Sequence, residues 1–297
     1  VKKTTFSTGF EKSKLYTYWS LMKYWFRRNR EFARHDYHDI FCGRAKRVFR
    51  ERLDTEIRDA RILEIGCGQR CTTTLLFHSL GARVTGIDTD AVDPRFSVGG
   101  LLTIWKRNGF ERFAKTLLRH ILFDRGYYKT LEHEFGRPVR KDHADIRTMD
   151  ACSLDFADDE FDYVYSSAVF EHIDDVDRAC GEVARVLKKG GVAFIGVHLF
   201  PSLSGGHNLE WAFPDTRPSK TVPPWDHLRE NRFPTHVYLN KLRERDYLSI
   251  FDGHLSIVDV WSSYEGEKIL TEEILAELPD FSRDELLKRS IKVVMKK

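Results

Sequence analysis

Residues 61–68, RILEIGCG, run an apolar stretch of strand length straight into two glycines, and this step restricts the fold more than any other feature of the chain. The stretch that follows, TTTLLFHSL, has the pattern of a helix ending at Gly81, and Arg83–Ile87 is a second strand-like run closing on Asp88. Residues 61–88 therefore have the length and order of a βαβ unit, whose right-handed crossover makes the two strands parallel neighbours. The alternation resumes with strands expected at Ala144–Met149 and Phe161–Tyr165 and a helix at Val176–Leu187. Lys188-Lys189-Gly190-Gly191 reads as that helix's C-terminus, followed by a strand at Val192–Val197. A helix from His236 to Leu248, a strand near Leu255–Trp261, a helical stretch over 267–288 and a strand near Ile291–Met295 complete the pattern. The expectation is an α/β fold with a doubly wound, mostly parallel, seven-stranded sheet.

Two segments exceed what that repeat needs. Between Asp88 and Asp150 the chain is about twice as long as a plain crossover, so a helical insertion is expected over 91–140. Residues 199–235, rich in Pro, Gly, His and Trp, are expected to form a long acceptor loop, with Trp211 and Trp225 as ring-stacking or anchoring groups. The domain expectation is a helical N-terminal extension over 1–60 and one catalytic-size domain over 61–297. The net charge of +3 is uneven: residues 1–60 carry +7, residues 91–140 carry +5, and the rest −9. The two basic segments are expected to meet as a cap over the carboxyl ends of the strands, with the 100–135 portion separable from cofactor binding.

Five scattered cysteines without a CxxC pair, and His35 and His38 as an isolated HxxH, give no expected metal site. No run approaches the roughly 20 apolar residues of a membrane span. Residues 1–14 carry positive charge without an apolar core, which reads as no secretory signal and leads to a cytoplasmic expectation.

The glycine turn is not the dinucleotide fingerprint, because Cys71 stands where a third glycine is required; a nicotinamide enzyme would need that departure excused. LEIGCG, GIDTD, MDACSLDFADDEFDYVYSS and VFEHIDDVDRACGEVARVLKKGGVAFIGV instead resemble, in order and spacing, the Rossmann-like class I S-adenosylmethionine-dependent methyltransferases, nearest to the type 11 small-molecule group. The resemblance implies S-adenosyl-L-methionine as cofactor. It places Glu64 under the methionine ammonium, Gly66, Cys67 and Gly68 along the ligand, Asp88 and Thr89 at the ribose, Asp150 and Ala151 at the adenine edge, and Ser166 and Ser167 on the methionine side.

Methyl transfer from a sulfonium is an in-line displacement in which alignment does much of the work, and a base is needed chiefly for a hydroxyl acceptor. The candidates are His172 and Glu171 after the fourth strand and His207 on a flexible glycine loop, with His198 after the fifth strand and Asp226 and His227 later in the long loop. Six aromatics in Leu15–Phe26 and a basic amphipathic stretch around Phe110–Leu122 are expected either to cover a core or to meet an anionic lipid surface or phosphate-bearing acceptor. The leading expectation is O-methylation of a saccharide, lipid-linked glycan or other small metabolite. RNA methylation and a non-catalytic cofactor-binding regulator are the alternatives, nucleic acid being disfavoured by the lack of a recognisable RNA-binding module.

Overall fold

The computed structural model describes residues 28–235 and 237–297. Its strands are β1 (Arg61–Ile65), β2 (Arg83–Asp88), β3 (Asp145–Thr148), β4 (Phe161–Ser167), β5 (Leu187–His198), β6 (Ser256–Tyr264) and β7 (Lys288–Lys296). They form one seven-stranded sheet in the order β3-β2-β1-β4-β5-β7-β6. β1 pairs in parallel with β2 and β4, and β2 with β3, whereas β6 and β7 pair antiparallel. The described residues fall into two compact units, one of 28–166, 182–194 and Lys297, the other of 167–181, 195–235 and 237–296.

In the first unit, a helical run that includes a π-helical stretch, Asp36–Lys46, continues into α1 (Arg47–Arg52). After β1 comes α2 (Thr72–Ser79), whose Leu75, Leu76 and Phe77 are fully buried with Ile62 and Leu63 of the strand. Phe77 meets Phe41 edge-on at 4.9 Å, and Phe49 meets Tyr163 at 5.7 Å, so aromatic edges fasten the N-terminal helices to this layer. The insertion after β2 holds α3 (Val98–Asn108), α4 (Phe110–Arg119), a π-helical turn His120–Asp124 and α5 (Arg125–Phe135). Its apolar face does not simply cover a core: Phe110, Leu118 and Ile121 stay more than half or about half exposed. The aromatic run Leu15–Phe26 lies outside the described residues.

α6 (Val176–Val186) ends before the two lysines, which belong to β5 rather than to a helix C-terminus. Gly190, at φ 79°, turns the chain there, and its amide donates to the carbonyl of Lys297. In the second unit the helix expected at 236–248 is displaced to α7 (Glu244–His254), because Asp246 accepts from the Arg243 amide and sets the start there. The stretch 267–288 is two short helices, α8 (Glu272–Glu277) and α9 (Arg283–Leu287), separated at Pro279, which disfavours helix in the residue before it. The connection between β6 and β7 therefore lacks the long crossover helix that would set the strands parallel. The long loop has a core of its own: Leu203, Trp211, Val222 and Trp225 pack with Leu270, Leu278 and Leu286.

Within the first unit one buried carboxylate ties the insertion to the glycine turn. Asp124 receives Arg70 Nε at 3.4 Å on one oxygen and Arg119 Nε at 3.3 Å on the other. Replacing Asp124 by Ala removes the buried acceptor shared by Arg70 and Arg119, and unfolding in urea should show a loss of roughly 2–4 kcal/mol. An unchanged midpoint and slope would show that the tie contributes nothing.

Candidate functional site

The turn after β1 is clamped to the end of β2. The amides of Gly66 and Cys67 both donate to the carbonyl of Ile87, at 2.8 and 3.0 Å, and that of Gly68 donates to Asp88 Oδ2 at 3.0 Å. Gly66 and Gly68 hold φ of 75° and 63°, the left-handed region in which a side chain is strained. A Cβ on Gly68 would meet nothing within 4 Å, so the turn opens on free space. That space is a cavity of about 430 Å³ whose lining includes Asp36, Glu64, Gln69, Arg70, Thr73 and Arg119. Gln69 Oε1 is buried there without a hydrogen-bond partner, an acceptor that suits an incoming donor.

Glu64 has a structural duty as well as a place in this cavity. Cys71, which precedes α2, has φ 48° and supplies no side-chain cap, so the carboxylate of Glu64 takes the Thr74 amide at 2.7 Å and the Thr74 hydroxyl. Burial pushes the Glu64 carboxyl up to about 7, with the Thr74 hydrogen bonds acting in the opposite direction. Burial likewise raises the Asp88 carboxyl, whose second oxygen accepts from the Asp90 amide at 2.9 Å. Both carboxylates keep lone pairs for a ligand.

The insertion and the N-terminal helices form the wall beside this turn. Tyr128 donates to the carbonyl of Arg70 at 2.9 Å, Thr72 and Tyr127 share a hydroxyl hydrogen bond at 2.8 Å, and Tyr127 donates to Asp36. The Arg70 guanidinium lies over the Tyr127 ring at 3.9 Å and also donates to Asn29. The 100–135 portion is therefore not separable from the cavity, because its tyrosines and Asp124 set the shape of the turn. Arg112 pairs with Asp90 just past β2.

The remaining sequence-expected residues of this unit differ in what they offer. Met149 N donates to the Asp88 carbonyl at 2.9 Å, which brings the exposed Asp150 alongside the end of β2, while Ala151 is buried and Thr89 exposed. Asp150 Oδ1 accepts from Cys152 N. Ser166 is fully buried and spends its hydroxyl proton on the Ile65 carbonyl at 3.0 Å; Ser167, half-buried, belongs to the other unit.

In the second unit, a turn of 3-10 helix, Phe170–His172, follows β4. Asn240 pins it, donating through its side chain to the carbonyls of Phe170 and Ile173 and through its amide to that of Glu171. Glu171 is 2% exposed, and neither carboxylate oxygen has a well-formed hydrogen-bond partner. Burial pushes its carboxyl up to about 8, the backbone amides of Glu171 and His198 softening the effect. His172 Nδ1 lies 2.9 Å from the Tyr238 carbonyl; since a carbonyl only accepts, Nδ1 carries the proton and Nε2 keeps a lone pair.

His207 does not ride on a flexible loop. Gly205 and Gly206 before it are buried so tightly that a Cβ on the first would lie 2.2 Å from the Phe200 carbonyl oxygen and one on the second 2.5 Å from the His227 ring. His207 itself has φ 55°, and its Nε2 is buried without a partner. Burial, with the neighbouring His172 and His227, holds its imidazole down at about 4. Ligand atoms of Glu171, His198 and His207 all lie within 4.8 Å of one another. His35 and His38 are apart from any such grouping, pairing with Asp39 and Glu134.

The same unit has a cavity of about 370 Å³ whose lining includes Asn208, Trp211, Asp226, His227, Tyr238 and Lys241. Trp225 is fully buried and is a loop anchor rather than a stacking surface, while Trp211 reaches this cavity. Asp226 organises the rim, accepting from the amides of Arg232 and Phe233. Asn240, Ser204 and Glu265 escaped sequence reasoning: each acts through a partner 60 or more residues away, and no local spacing marks such a pairing.

A family model described as "Methyltransferase domain" matches residues 126–195, from α5 to β5. A phosphatidylethanolamine N-methyltransferase of Cereibacter sphaeroides is 28% identical over 173 residues, 57% of this chain and 67% of that protein. Among solved structures, a geranyl diphosphate methyltransferase in complex with SAM matches at 14% identity over 86% of this chain and 84% of its own, with a TM-score of 0.48. An S-adenosylmethionine-dependent methyltransferase of Mesorhizobium loti matches at 18% identity over 84% and 96%, with a TM-score of 0.45.

The raised Glu64 carboxyl has a consequence for stability. A carboxyl whose folded value lies above its unfolded 4.5 stabilises the fold fully below that value, and the contribution is lost as pH rises toward about 7. Without added ligand, the wild-type protein should lose up to about 3 kcal/mol relative to Glu64→Gln between pH 4.5 and 7.5. Parallel stability curves for the two proteins would contradict this.

Proposed function

We propose, for a chain that belongs to the class I S-adenosylmethionine-dependent methyltransferases, that the acceptor is a hydroxyl on a polar ring-bearing molecule, a saccharide or lipid-linked glycan, met at an anionic membrane surface. The cofactor, when bound, supplies a methyl group on a sulfonium. Gly68 leaves room for it, Asp88 would accept from its ribose hydroxyls, Asp150 and Ala151 would flank its adenine edge, and Gln69 Oε1 would accept from one of its donors. Glu64 sits where an ammonium group would draw its carboxyl back to the ionised form.

The observation that carries the hydroxyl reading is His172, a neutral imidazole with its tautomer fixed by the Tyr238 carbonyl and Nε2 left as proton acceptor. Burial lowers its affinity for a proton, so the ring is uncharged at neutral pH. Glu171 and His207 adjoin it and complete the acceptor side. The mixed lining of the 370 Å³ cavity, with Trp211 and Tyr238 beside Asn208, Asp226 and Lys241, suits a hydroxylated ring. The membrane part rests on the insertion, where Val98, Trp105, Phe110, Leu118 and Ile121 stand exposed beside Lys106 and Arg107. Among the described residues no helix is long and apolar enough to cross a membrane. A second reading, transfer to the amine of an ethanolamine headgroup, is favoured by the relative from Cereibacter sphaeroides.

Transfer of labelled methyl to purified lipid-linked glycans and to phosphatidylethanolamine vesicles separates the two acceptors. With the favoured acceptor, His172→Ala should lower kcat by about 10²- to 10⁴-fold and leave cofactor affinity unchanged. Labelling of the amine alone would replace the hydroxyl reading, and full activity in His172→Ala would remove the base. In sedimentation with anionic vesicles, the wild-type chain should bind at low salt and release as salt rises, and Phe110→Asp with Ile121→Asp should abolish binding. Equal binding by the double variant would contradict the membrane face.

A further inference from the structure

We propose that Glu171, His198 and His207 form a binding site for one divalent first-row transition-metal ion. Their ligand atoms lie within 4.8 Å of one another, and coordination at about 2.1 Å places such atoms roughly 3–4 Å apart, a closure within reach of small side-chain rotations. Two observations independent of that proximity point to an ion. Nε2 of the buried His207 lacks a partner, and the buried Glu171 carboxyl is met only by the backbone amides of Glu171 and His198 without a well-formed hydrogen bond, where buried polar groups otherwise find full partners. His198, in turn, is oriented as a ligating histidine is. Ser204 donates its hydroxyl proton to Glu265 Oε1 at 2.6 Å, so toward His198 Nε2, 2.9 Å away, it can only accept. Nε2 therefore carries the proton, and Nδ1 is left with its lone pair for an ion. A chain of Glu265, Ser204 and His198 is the outer support that fixes tautomer and ring angle in metal sites.

The surroundings agree. Arg289, the nearby cation, is paired with Glu265 at 3.4 Å. The packed glycines before His207 fix the third ligand on rigid backbone. Two imidazoles and one carboxylate suit zinc, iron, cobalt or manganese rather than calcium or magnesium, which favour all-oxygen sets, and leave positions open for an oxygen of a bound molecule. The ion would polarise that oxygen. The site stands whatever the acceptor proves to be.

The test uses the full chain, freed of metal with a chelator, titrated with zinc chloride by calorimetry and with cobalt chloride by visible absorption. The expected result is one ion per chain, a cobalt ligand-field band and a rise in melting temperature. His207→Ala and Glu171→Gln should each weaken zinc at least about 100-fold, and Ser204→Ala about 10- to 100-fold through loss of the outer support. His35→Ala, on the exposed pair, should bind as wild type does. Melting each variant without metal establishes that it is folded, and Ser204→Ala decides the matter if the ligand variants are not. Absence of saturable binding by the wild-type chain, or unaltered affinity in the folded variants, would overturn the site.

Discussion

The end of β2 holds the first unit's site together. One carbonyl, Ile87, takes two amides of the glycine turn, and the next side chain, Asp88, takes a third. The turn cannot move without breaking all three, and its two glycines adopt a backbone that other residues enter only with strain. Glu64 adds a second fastening by capping α2 from β1. Glu64, which lines the cavity, is thus also a group that holds its wall, and a ligand there inherits that fixed geometry without further ordering.

The second unit solves a different problem, that of keeping a polar cluster in a dry interior. Asn240 satisfies the backbone of the turn bearing Glu171 and His172, Glu265 satisfies Ser204, and His227 Nε2 lies 2.9 Å from the Phe200 carbonyl. Those partners take up most of the local hydrogen-bonding capacity. What they leave over is concentrated on Glu171, His172 and His207, whose free oxygens and nitrogens are chemically available because the rest of the cluster is spoken for. Uncharged imidazoles in such a setting follow from desolvation, which disfavours the protonated ring.

Much of this was legible in the chain. RILEIGCG and GIDTD carry their own turn and strand-end chemistry within a few residues, so β1, β2 and the clamp between them could be placed from local pattern. The insertion was visible as excess length, but its role as a wall was not, since Asp124 meets Arg70 across 54 residues. The helix expected from His236 failed because Asp246 sets a later start, and the lysine–glycine step before β5 read as a helix end although it enters a strand. His207 looked like part of a mobile glycine loop. Only packing reveals that Gly205 and Gly206 are there because neither can carry a Cβ.

The turn between β1 and α2 is the proposed seat of the cofactor. Calorimetric titration of the wild-type chain and Asp88→Ala with S-adenosylmethionine, and of the wild type with NAD, addresses it directly. The structure predicts wild-type binding in the micromolar range, about 8 kcal/mol, a loss of roughly 1.5–3 kcal/mol in a folded Asp88→Ala, and no response to NAD. Saturable NAD binding without a response to S-adenosylmethionine, or an Asp88→Ala protein that binds it as tightly as wild type, would contradict the account.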